Sequence, residues 1–507
     1  MDEGKSVVVI GAPGTGKTAL ILEKMRRRLR QQSPGKVLVT APHNTHVDKL
    51  REDICMDPEL KKALRARRII LKTAAAAFGY PMRGIAKPKV MAEQLSAKMK
   101  AVLQEKDLFV IIDEAALNSC FKRDATSELL KLVRQSSEPD GGLQVMEVQD
   151  PMQGEPMHSQ AEKEAATVNG VMRRELNIEG GFMADANRET LFLNETNRFI
   201  GPLKGTYEEG ANELRGGGTG AKAKKLFDVG AARVFTQAED LAALTLMGTS
   251  KEVMDQSVER TLRRAAARGQ TVANGGVYIY DNTREASKYE ESERNSLRSY
   301  GFEKVVIAKG ERMLLIQKSG VREASSNGDG DNDGAQEEED SDIEEEDEGL
   351  RFDGGSYATG NMPCEVVDFL PDRWVKVKVM GRPAGKDQLL VPWERREVDG
   401  VSLRLIGLKP YMERVVDLAQ GLEWTGPVHA DAKKIYGRGK FLVAVTRCRD
   451  LRMLKISGVD GYDGLRRVVK SNWRAIEFNV KHGEEMPPAS KRFATKQREK
   501  FNNLTGQ

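Results

Sequence analysis

A glycine-rich stretch near the start of the sequence has the residue types that bind phosphate. GAPGTGKT, residues 11–18, fits G-x-x-x-x-G-K-[ST] and stands between an apolar strand-like run and a helix-like stretch. Its glycines let the backbone turn N–H groups onto phosphate oxygens, and the helix start adds a favourable dipole. Lys17 supplies a charge to the β- and γ-phosphates, and Thr18 supplies a hydroxyl to Mg²⁺. The predicted nucleotide contacts are Gly11, Ala12, Pro13, Gly14, Thr15, Gly16, Lys17 and Thr18.

Two adjacent carboxylates follow another apolar run, LFVIIDEAAL, at residues 108–117. Asp113 at the end of this strand is predicted to hold Mg²⁺ together with Thr18, usually through water. Glu114 is placed to orient or deprotonate an attacking water molecule. The pair therefore predicts nucleotide hydrolysis and argues against a kinase, which has no need of a water-activating glutamate.

A further strand-like run ends in QDPMQ, residues 149–153. Gln153 is predicted to contact the γ-phosphate and to couple it to a second domain. The alternative is that this stretch is a surface turn.

The phosphate-binding loop, the acidic pair and Gln153 can act together only if one sheet brings the ends of their strands to the same edge. Apolar runs alternate with helix-like stretches through the first 200 residues, which is the rhythm of βαβ units in a parallel sheet. The runs lie at residues 7–10, 37–40, 69–71, 109–112 and 143–148. The sequence therefore predicts an α/β fold.

The charge of the chain is unevenly distributed. The whole sequence has a formal charge of +4, yet residues 329–348 contain 13 acidic residues and no basic one. The remainder has 80 basic against 63 acidic residues, or +17. A basic body suits a polyanion such as nucleic acid, although a merely solvated charged surface is the alternative.

Composition also limits the class of protein. The 507 residues exceed one ordinary core, so we expect at least two domains. No apolar run is long enough to span a membrane, and the acidic start leaves no room for a secretory signal, so we expect an intracellular protein, nuclear or cytoplasmic. The four cysteines lack a C-x-x-C pair, and the five histidines lack metal-ligand spacing, which argues against a zinc site. His43 and His46 are interpreted as loop residues.

The motifs in this order resemble superfamily 1 helicases, most closely the PIF and RecD-like branch. GAPGTGKT resembles motif I, VTAP (39–42) motif Ia, DEAA (113–116) motif II and QDPMQ motif III. KTAAAAFGY (72–80) resembles that family's T-[IL]-H-x-x-F-G segment, LFLNETNRF (191–199) its motif IV, and YEEGANELRGG (207–217) its F-x-x-x-L-N-x-[IL]-R-x-G segment. KFLVAVTRCR (440–449) is similar to motif VI, Y-V-A-[LV]-[ST]-R-x-[RK].

The resemblance implies two RecA-like domains with ATP and Mg²⁺ in the cleft between them. Arg198 and Arg447 would then reach the γ-phosphate, so that the implied catalytic set is Lys17, Asp113, Glu114, Gln153, Arg198 and Arg447. The family implies movement on single-stranded DNA in the 5′-to-3′ direction. We expect a monomer that binds single-stranded DNA and no membrane.

The predicted domain boundaries combine this resemblance with composition. Residues 1–205 are the first RecA-like domain, and residues 206–275 are a linker and helical region. The second RecA-like domain takes residues 276–324 and 394–460. It is interrupted by a disordered acidic insert at 325–349 and a small SH3-like β-barrel at 350–393. Residues 461–507 are predicted to be a basic C-terminal tail, which is loose beyond Pro487.

Four departures from the family pattern leave alternatives open, and one of them is Gln149, which stands before Asp150 where the family usually has glycine. Only six residues precede Val7, where the family usually has a glutamine-bearing helix that reads adenine, and Ala75 stands where the family usually has histidine. Motif V, T-x-H-K-x-Q-G-x-[ST]-x-x-x-x-V, is not found between residues 403 and 418. One alternative is therefore a degenerate nucleic-acid-binding ATPase that unwinds poorly. Another is an RNA-directed helicase, because VTAPHNTHVDKL (39–50) also resembles motif Ia of the Upf-like helicases.

Overall fold

A computed structural model of the chain divides it into two compact units. The larger unit comprises Met1–Gly248 and Val415–Gln507, and the smaller unit comprises Thr249–Arg414. The predicted acidic insert at 325–349 lies outside the described residues. The described residues are 6–31, 35–81, 84–137, 142–153, 159–168, 171–172, 189–298, 301–316, 322–323, 362–380, 387–398, 400–435, 437–470, 472–481, 483–486 and 488–505.

A parallel sheet forms the first half of the larger unit. The strands of this half are β1 (Val7–Gly11), β2 (Val37–Ala41), β3 (Ile69–Thr73), β4 (Phe109–Ile112), β5 (Gln144–Gln149), β6 (Thr167–Val168), β7 (Val171–Met172) and β8 (Glu189–Leu193). Six of them pair in the order β3-β2-β4-β5-β1-β8, and every adjacent pair is parallel. Because the strands point the same way, the ends of β1, β4 and β5 meet at one edge of the sheet. The predicted α/β fold is confirmed.

Helices cover both faces of this sheet, as buried parallel strands require. They are α1 (Lys17–Leu29), α2 (Asn44–Cys55), α3 (Pro58–Arg65), α4 (Ala74–Phe78), α5 (Pro88–Gln94), α6 (Ala97–Leu103), α7 (Cys120–Arg134) and α8 (Gln160–Ala165). Leu38 and Val110 of the strands pack with Met91 and Leu129 of the helices. His46 lies buried in α2, so its interpretation as a loop residue is wrong.

The chain continues through helices α9 (Lys204–Arg215), α10 (Ala221–Ala232), α11 (Gln237–Ala242) and α12 (Ser250–Ala267), with strand β9 (Leu244–Met247) before α12. The smaller unit adds α13 (Thr283–Ala286) and α14 (Glu291–Leu297). Its strands are β10 (Val277–Asp281), β11 (Lys304–Ala308), β12 (Arg312–Leu315), β13 (Arg322–Glu323), β14 (Met362–Phe369), β15 (Val375–Val379), β16 (Gln388–Val391), β17 (Trp393–Val398), β18 (Val401–Ile406) and β19 (Leu408–Pro410).

The smaller unit is built from antiparallel strands. Six of them form a sheet in the order β13-β16-β15-β14-β12-β19, and β10 pairs with β11 while β17 pairs with β18. This β-rich part therefore runs from Arg312 to Pro410, well beyond the predicted limits of 350 and 393. The difference arises because short alternating strands on either side of the acidic segment carry little signal individually.

The rest of the larger unit begins at Val415, the last residue of strand β20 (Glu413–Val415). The other strands of this part are β21 (Val428–Asp431) and β22 (Leu454–Ser457), and its helices are α15 (Lys440–Val445), α16 (Gly461–Val468), α17 (Trp473–Lys481) and α18 (Pro488–Thr505). Short 3₁₀ turns occur at Ala115–Leu117, Pro371–Arg373, Val416–Ala419, Ala432–Lys434 and Leu451–Met453.

A second parallel sheet lies in this part of the larger unit. β21 pairs in parallel with both β9 and β22. Their core contains Leu246, Ala430 and Ile456, together with Tyr207 of α9 and Phe441 of α15. The boundaries that we predicted for the second RecA-like domain differ from this arrangement. We placed its start in β10, which is antiparallel and belongs to the smaller unit, and we assigned β9 to a linker. A four-residue apolar strand between helices is easily taken for part of a helix.

Helix α18 occupies the segment beyond Pro487 that was predicted to be loose, and α17 lies in the part of the basic tail before it. Ala475, Ile476 and Ala494 pack with Val8 and Ile10 of β1 in one apolar cluster. The apolar side chains of this segment recur at helical spacing, and burying them against β1 stabilises both helices.

An ion-pair network crosses the same region. Arg215 of α9 pairs with Asp150, with 3.0 Å from Nη2 to Oδ1, and it also pairs with Glu484 between α17 and α18. The network therefore links the end of β5 to the second half of the larger unit.

No helix among the described residues is long and apolar enough to cross a membrane. The cysteines Cys55, Cys120, Cys364 and Cys448 are all free thiols.

Candidate active site

The phosphate-binding loop connects β1 to α1. Gly14 has φ of 80°, a left-handed conformation that favours glycine. A Cβ atom there would lie 2.2 Å from Cβ of Arg198, so only glycine fits beneath this arginine. Lys17 begins α1, and its Nζ donates to the carbonyls of Gly11 at 2.7 Å and Ala12 at 3.3 Å. The ammonium group thus lies over the loop that would cradle phosphates.

The acidic pair follows β4, two strands away from β1. Asp113 Oδ1 accepts a hydrogen bond of 2.9 Å from the backbone N–H of Glu114, which has a left-handed φ of 47°. Both carboxylates are buried. Burial and the neighbouring Glu114 raise the pKa of Asp113 to about 7, against the opposing effect of Lys17. Because a buried carboxylate is stabilised by a cation, Asp113 is suited to a Mg²⁺ ion.

A glutamine outside the predicted set holds Glu114. Gln420 Nε2 donates to Glu114 Oε2 at 3.0 Å, and the backbone carbonyl of Gln420 is bonded by His46 Nε2. Gln420 and His46 are both buried. Gln420 is absent from the predicted residues because it lies just beyond residues 403–418, where motif V is expected. The signal was nonetheless present, since Gln420, Gly421 and Val428 have the spacing of the Q, G and final V of that motif.

The same register shows what has changed in motif V. Val415, Asp417 and Leu418 stand where the pattern has Thr, His and Lys, and Glu423 stands where it has Ser or Thr. Asp417 forms an ion pair with Lys440 of α15, with 2.7 Å between Oδ2 and Nζ. The segment is therefore substituted at these positions and retains its length.

The two predicted arginines reach this site from different parts of the larger unit. Arg198 follows β8 of the first sheet, and Arg447 follows α15. Arg198 Nη1 donates to the carbonyl of Thr446 at 3.2 Å. Arg447 is only 1% exposed, and its guanidinium donates to four acceptors. These are the carbonyls of Val443 (2.9 Å), Ala419 (3.2 Å) and Leu422 (3.0 Å) and the hydroxyl of Thr446 (3.0 Å). Burial and the nearby Arg198 lower the pKa of Arg447 to about 9, so it remains charged at neutral pH.

Gln153 is oriented by the residue that follows β5. Its Nε2 donates to Asp150 Oδ2 at 3.0 Å, and Asp150 is in turn paired with Arg215. Burial opposes ionisation of Asp150, but Arg215 and Lys17 outweigh it and lower its pKa. Asp150 therefore stays a carboxylate and fixes the Gln153 amide.

One cavity of about 270 Å³ collects these groups. It is lined by Pro13, Gly14, Gly16, Lys17, Thr18, Ala19, Glu114, Gln153, Asn197, Arg198, Gly421, Glu423, Arg447 and Arg449. Four cationic side chains face two carboxylates, which favours a polyanion. Five predicted catalytic residues line the cavity: Lys17, Glu114, Gln153, Arg198 and Arg447. Asp113 does not line it but is bonded to Glu114. Gln420 and Arg449 were not predicted.

The chemistry of these donors fits a magnesium nucleotide. Among the described residues there is no group of three or more His, Cys, Asp or Glu side chains that would hold a metal ion by itself. Mg²⁺ generally takes few protein ligands and completes its shell with water and phosphate oxygens. Thr18 and Asp113 suffice as its protein ligands in that arrangement.

Comparisons with known proteins agree with this geometry. Residues 1–148 match the family described as an AAA domain. A crystal structure of the Pif1 helicase from Candida albicans is similar over 95% of this chain and 96% of that chain, with a TM-score of 0.64 and 18% identity. A Bacteroides Pif1 helicase in complex with ADP-AlF3 and ssDNA is similar over 95% of this chain and 94% of that chain, with a TM-score of 0.60 and 15% identity. No curated protein matches the sequence. The chain thus has the fold of the Pif1 helicases, and the resemblance predicted from the motifs is confirmed at the level of the fold.

Proposed function

We propose that this protein is an ATP-hydrolysing motor that is stimulated by nucleic acid and acts as a DNA helicase or translocase. The observation that carries the proposal is the cavity itself. It combines a phosphate-binding loop, Glu114 and Arg198, which follow strands of the first parallel sheet, with Arg447 and Arg449, which follow α15 in the second half of the larger unit. The shape of such a cavity changes when the two parallel sheets move relative to each other. Binding and hydrolysis of the nucleotide can therefore drive that movement.

The residues divide the reaction among them. Lys17 and the loop N–H groups bind the β- and γ-phosphates, which orients ATP in the cavity. Mg²⁺ held by Thr18 and Asp113 would neutralise charge on the phosphate oxygens. Glu114 accepts the proton of the water that attacks the γ-phosphoryl group, while ADP leaves on the opposite side. The cationic groups of Arg198 and Arg449 stabilise the charge that spreads over the transferred phosphoryl oxygens.

We infer that single-stranded DNA is the partner and that movement is 5′-to-3′. The DNA partner is supported by the fold, since a Pif1 relative was crystallised bound to ssDNA and another structure is described as showing DNA unwinding at forked dsDNA. The direction of movement is supported by the motif resemblance alone. The excess of basic residues outside the acidic segment agrees with a phosphate backbone as ligand.

The test is ATP turnover by the full chain without nucleic acid, with single-stranded DNA and with single-stranded RNA. We expect ATP turnover to rise at least about tenfold with DNA. A motor that hydrolysed ATP equally fast without nucleic acid would consume it without producing movement. Greater stimulation by RNA would identify an RNA-directed helicase, and absence of turnover in all three would refute the proposal. Displacement of duplexes with either a 5′ or a 3′ tail measures polarity, and we expect activity only on the 5′-tailed duplex.

A second candidate function is a nucleic-acid-binding ATPase that couples hydrolysis poorly to unwinding. The observation that favours it is the substitution of Thr, His and Lys in the motif V register by Val415, Asp417 and Leu418. Asp417 is also neutralised by Lys440 and so presents no net charge to a phosphate. Base pairs separated per ATP consumed distinguish the two functions. A value below about one tenth of that of a relative with the unchanged motif would favour this second candidate.

A further inference from the structure

We propose that His46 is a positioning residue for ATP hydrolysis, which acts through Gln420 to hold the carboxylate of Glu114. This inference rests on the proposed function, because it assigns Glu114 the role of the base. It adds a residue outside the cavity to the machinery and places it on α2, the helix that follows β2.

The first step is a chain of hydrogen bonds that leads from α2 to the acidic pair. The backbone carbonyl of Gln420 can only accept a hydrogen bond, so His46 Nε2 carries the proton and donates it. The side chain of the same glutamine then donates from Nε2 to Glu114 Oε2 at 3.0 Å. The imidazole therefore fixes the backbone of the residue whose amide orients the base.

The second step is burial, which makes these bonds directional and strong. His46 is 7% exposed, Gln420 is 2% exposed and Glu114 is 6% exposed. Hydrogen bonds away from water are less screened than those at a surface. His46 Nδ1 finds no hydrogen-bond partner among the residues that the structure describes. A side chain needed only for packing would be served better by an apolar group, since a buried nitrogen without a partner is unfavourable. The presence of histidine at this position is thus explained by the hydrogen bond from its Nε2 to the carbonyl of Gln420.

The third step is that the segment around Gln420 is shaped to receive the ring. Gly421 has φ of 76°, and a Cβ atom there would lie 2.7 Å from both Nε2 and Cδ2 of His46. Arg447 holds the carbonyls of Ala419 and Leu422 on either side of Gln420. With the backbone fixed on both sides, the position of α2 determines where the Gln420 amide points. A displacement of about 1 Å at a reacting group costs up to roughly 100-fold in rate.

The experiment compares His46→Ala, His46→Gln and the control His43→Ala in steady-state ATP hydrolysis with saturating single-stranded DNA. His43 caps the same helix without a side-chain hydrogen bond, and its ring centroid lies 5.7 Å from that of His46. We expect His46→Ala to lower kcat by about 10- to 100-fold with KM for ATP changed less than about threefold. His46→Gln keeps an N–H donor and should recover kcat to within about fivefold of wild type, and His43→Ala should match wild type.

Gln420→Glu provides a second variant that keeps the size of the side chain and removes the donor. It places a carboxylate against Glu114, so we expect kcat to fall at least as far as in His46→Ala. Circular dichroism and nucleotide binding confirm that each variant is folded.

The outcomes separate the two proposals. A wild-type protein that does not hydrolyse ATP overturns both. If the wild type is active and His46→Ala retains its kcat, or if His46→Gln gives no recovery, only the positioning role is overturned. A raised rate without DNA in His46→Ala would also overturn it, because His46 would then restrain the base.

Discussion

On the phosphate-loop side of the cavity, the acceptors of Lys17 among the described residues are two carbonyls of its own loop. On the arginine side, Arg447 donates to three carbonyls and a hydroxyl of the second half. Arg447 is also almost fully buried, and Lys17 is only half-buried. The ammonium can exchange its two bonds for phosphate oxygens at little cost. The guanidinium cannot leave its acceptors without exposing buried carbonyls. The comparison teaches that the first side is arranged for ligand exchange and that the second side supports the segment carrying Gln420.

The largest effect should come from the phosphate-loop side. We expect Lys17→Ala to abolish nucleotide binding and Glu114→Gln to retain it, while both variants lower ATP turnover by about 10³-fold or more. Phosphate release and the binding of a fluorescent ATP analogue measure the two quantities. Lys24→Ala on the same helix is the matched control, because Lys24 does not line the cavity. Turnover near the wild-type rate in Lys17→Ala or Glu114→Gln would contradict the role assigned to that residue.

Arg447 and Arg449 lie on the same side of the cavity but should contribute differently to the stability of the fold. Arg449 has a side chain that is 36% exposed and pairs with Glu423 at 3.0 Å. We expect Arg447→Lys to lower the free energy of unfolding by about 2–4 kcal/mol, since several buried carbonyls lose their donors. Arg449→Lys should change it by less than about 1 kcal/mol.

Thermal or urea unfolding without nucleotide measures both variants. Turnover should fall in each, but only in Arg447→Lys together with stability. Equal stability of the two variants would show that Arg447 does not have the supporting role that its bonds indicate.

A smaller effect is expected from Asp113 and depends on pH. The folded protein raises the pKa of this carboxyl to about 7, whereas in an unfolded chain it is about 3.9. The unfolded state therefore releases its proton first, and the destabilisation grows between about pH 4 and pH 7 and is constant above. Asp113→Asn should remove this cost and raise stability without nucleotide by about 1–3 kcal/mol at pH 8.

At pH 5 the gain should be clearly smaller, because Asp113 is then protonated in the folded state. The stability of both proteins at pH 5 and pH 8, without Mg²⁺, provides the measurement. A gain that is independent of pH would contradict the assignment of the titration to Asp113.

The sequence was most informative where the chemistry depends on neighbouring residues. Lys17 begins the helix that follows an apolar strand and its loop, and Glu114 comes just after another apolar strand, so the elements that position each of them are contiguous in sequence. Their convergence follows from the rule that parallel strands share their carboxyl ends. Gln420 could also have been found, because its spacing to Val428 fits the motif, but its bond to Glu114 joins residues 306 positions apart.

Other features could not be deduced from local pattern. The polar neighbours of His46 in the sequence do not indicate a buried position on a helix. That position is explained by its contact with Gln420, which is far away in the sequence. Likewise, β9 and β10 are both short apolar runs, and their partners decide that one is parallel and the other antiparallel. A local sequence pattern does not show which strands pair when they are far apart in the sequence.

The contact of Ile476 and Ala494 with Val8 and Ile10 has a consequence for biosynthesis. The residues that cover β1 are translated hundreds of codons after the strand itself. At about 5–20 residues per second, roughly half a minute or more separates the two. Until then the apolar face of the strand beneath the phosphate-binding loop stays open to chaperones or to other nascent chains. The sheet that carries the nucleotide site of this protein is therefore completed only long after the phosphate-binding motif has been translated.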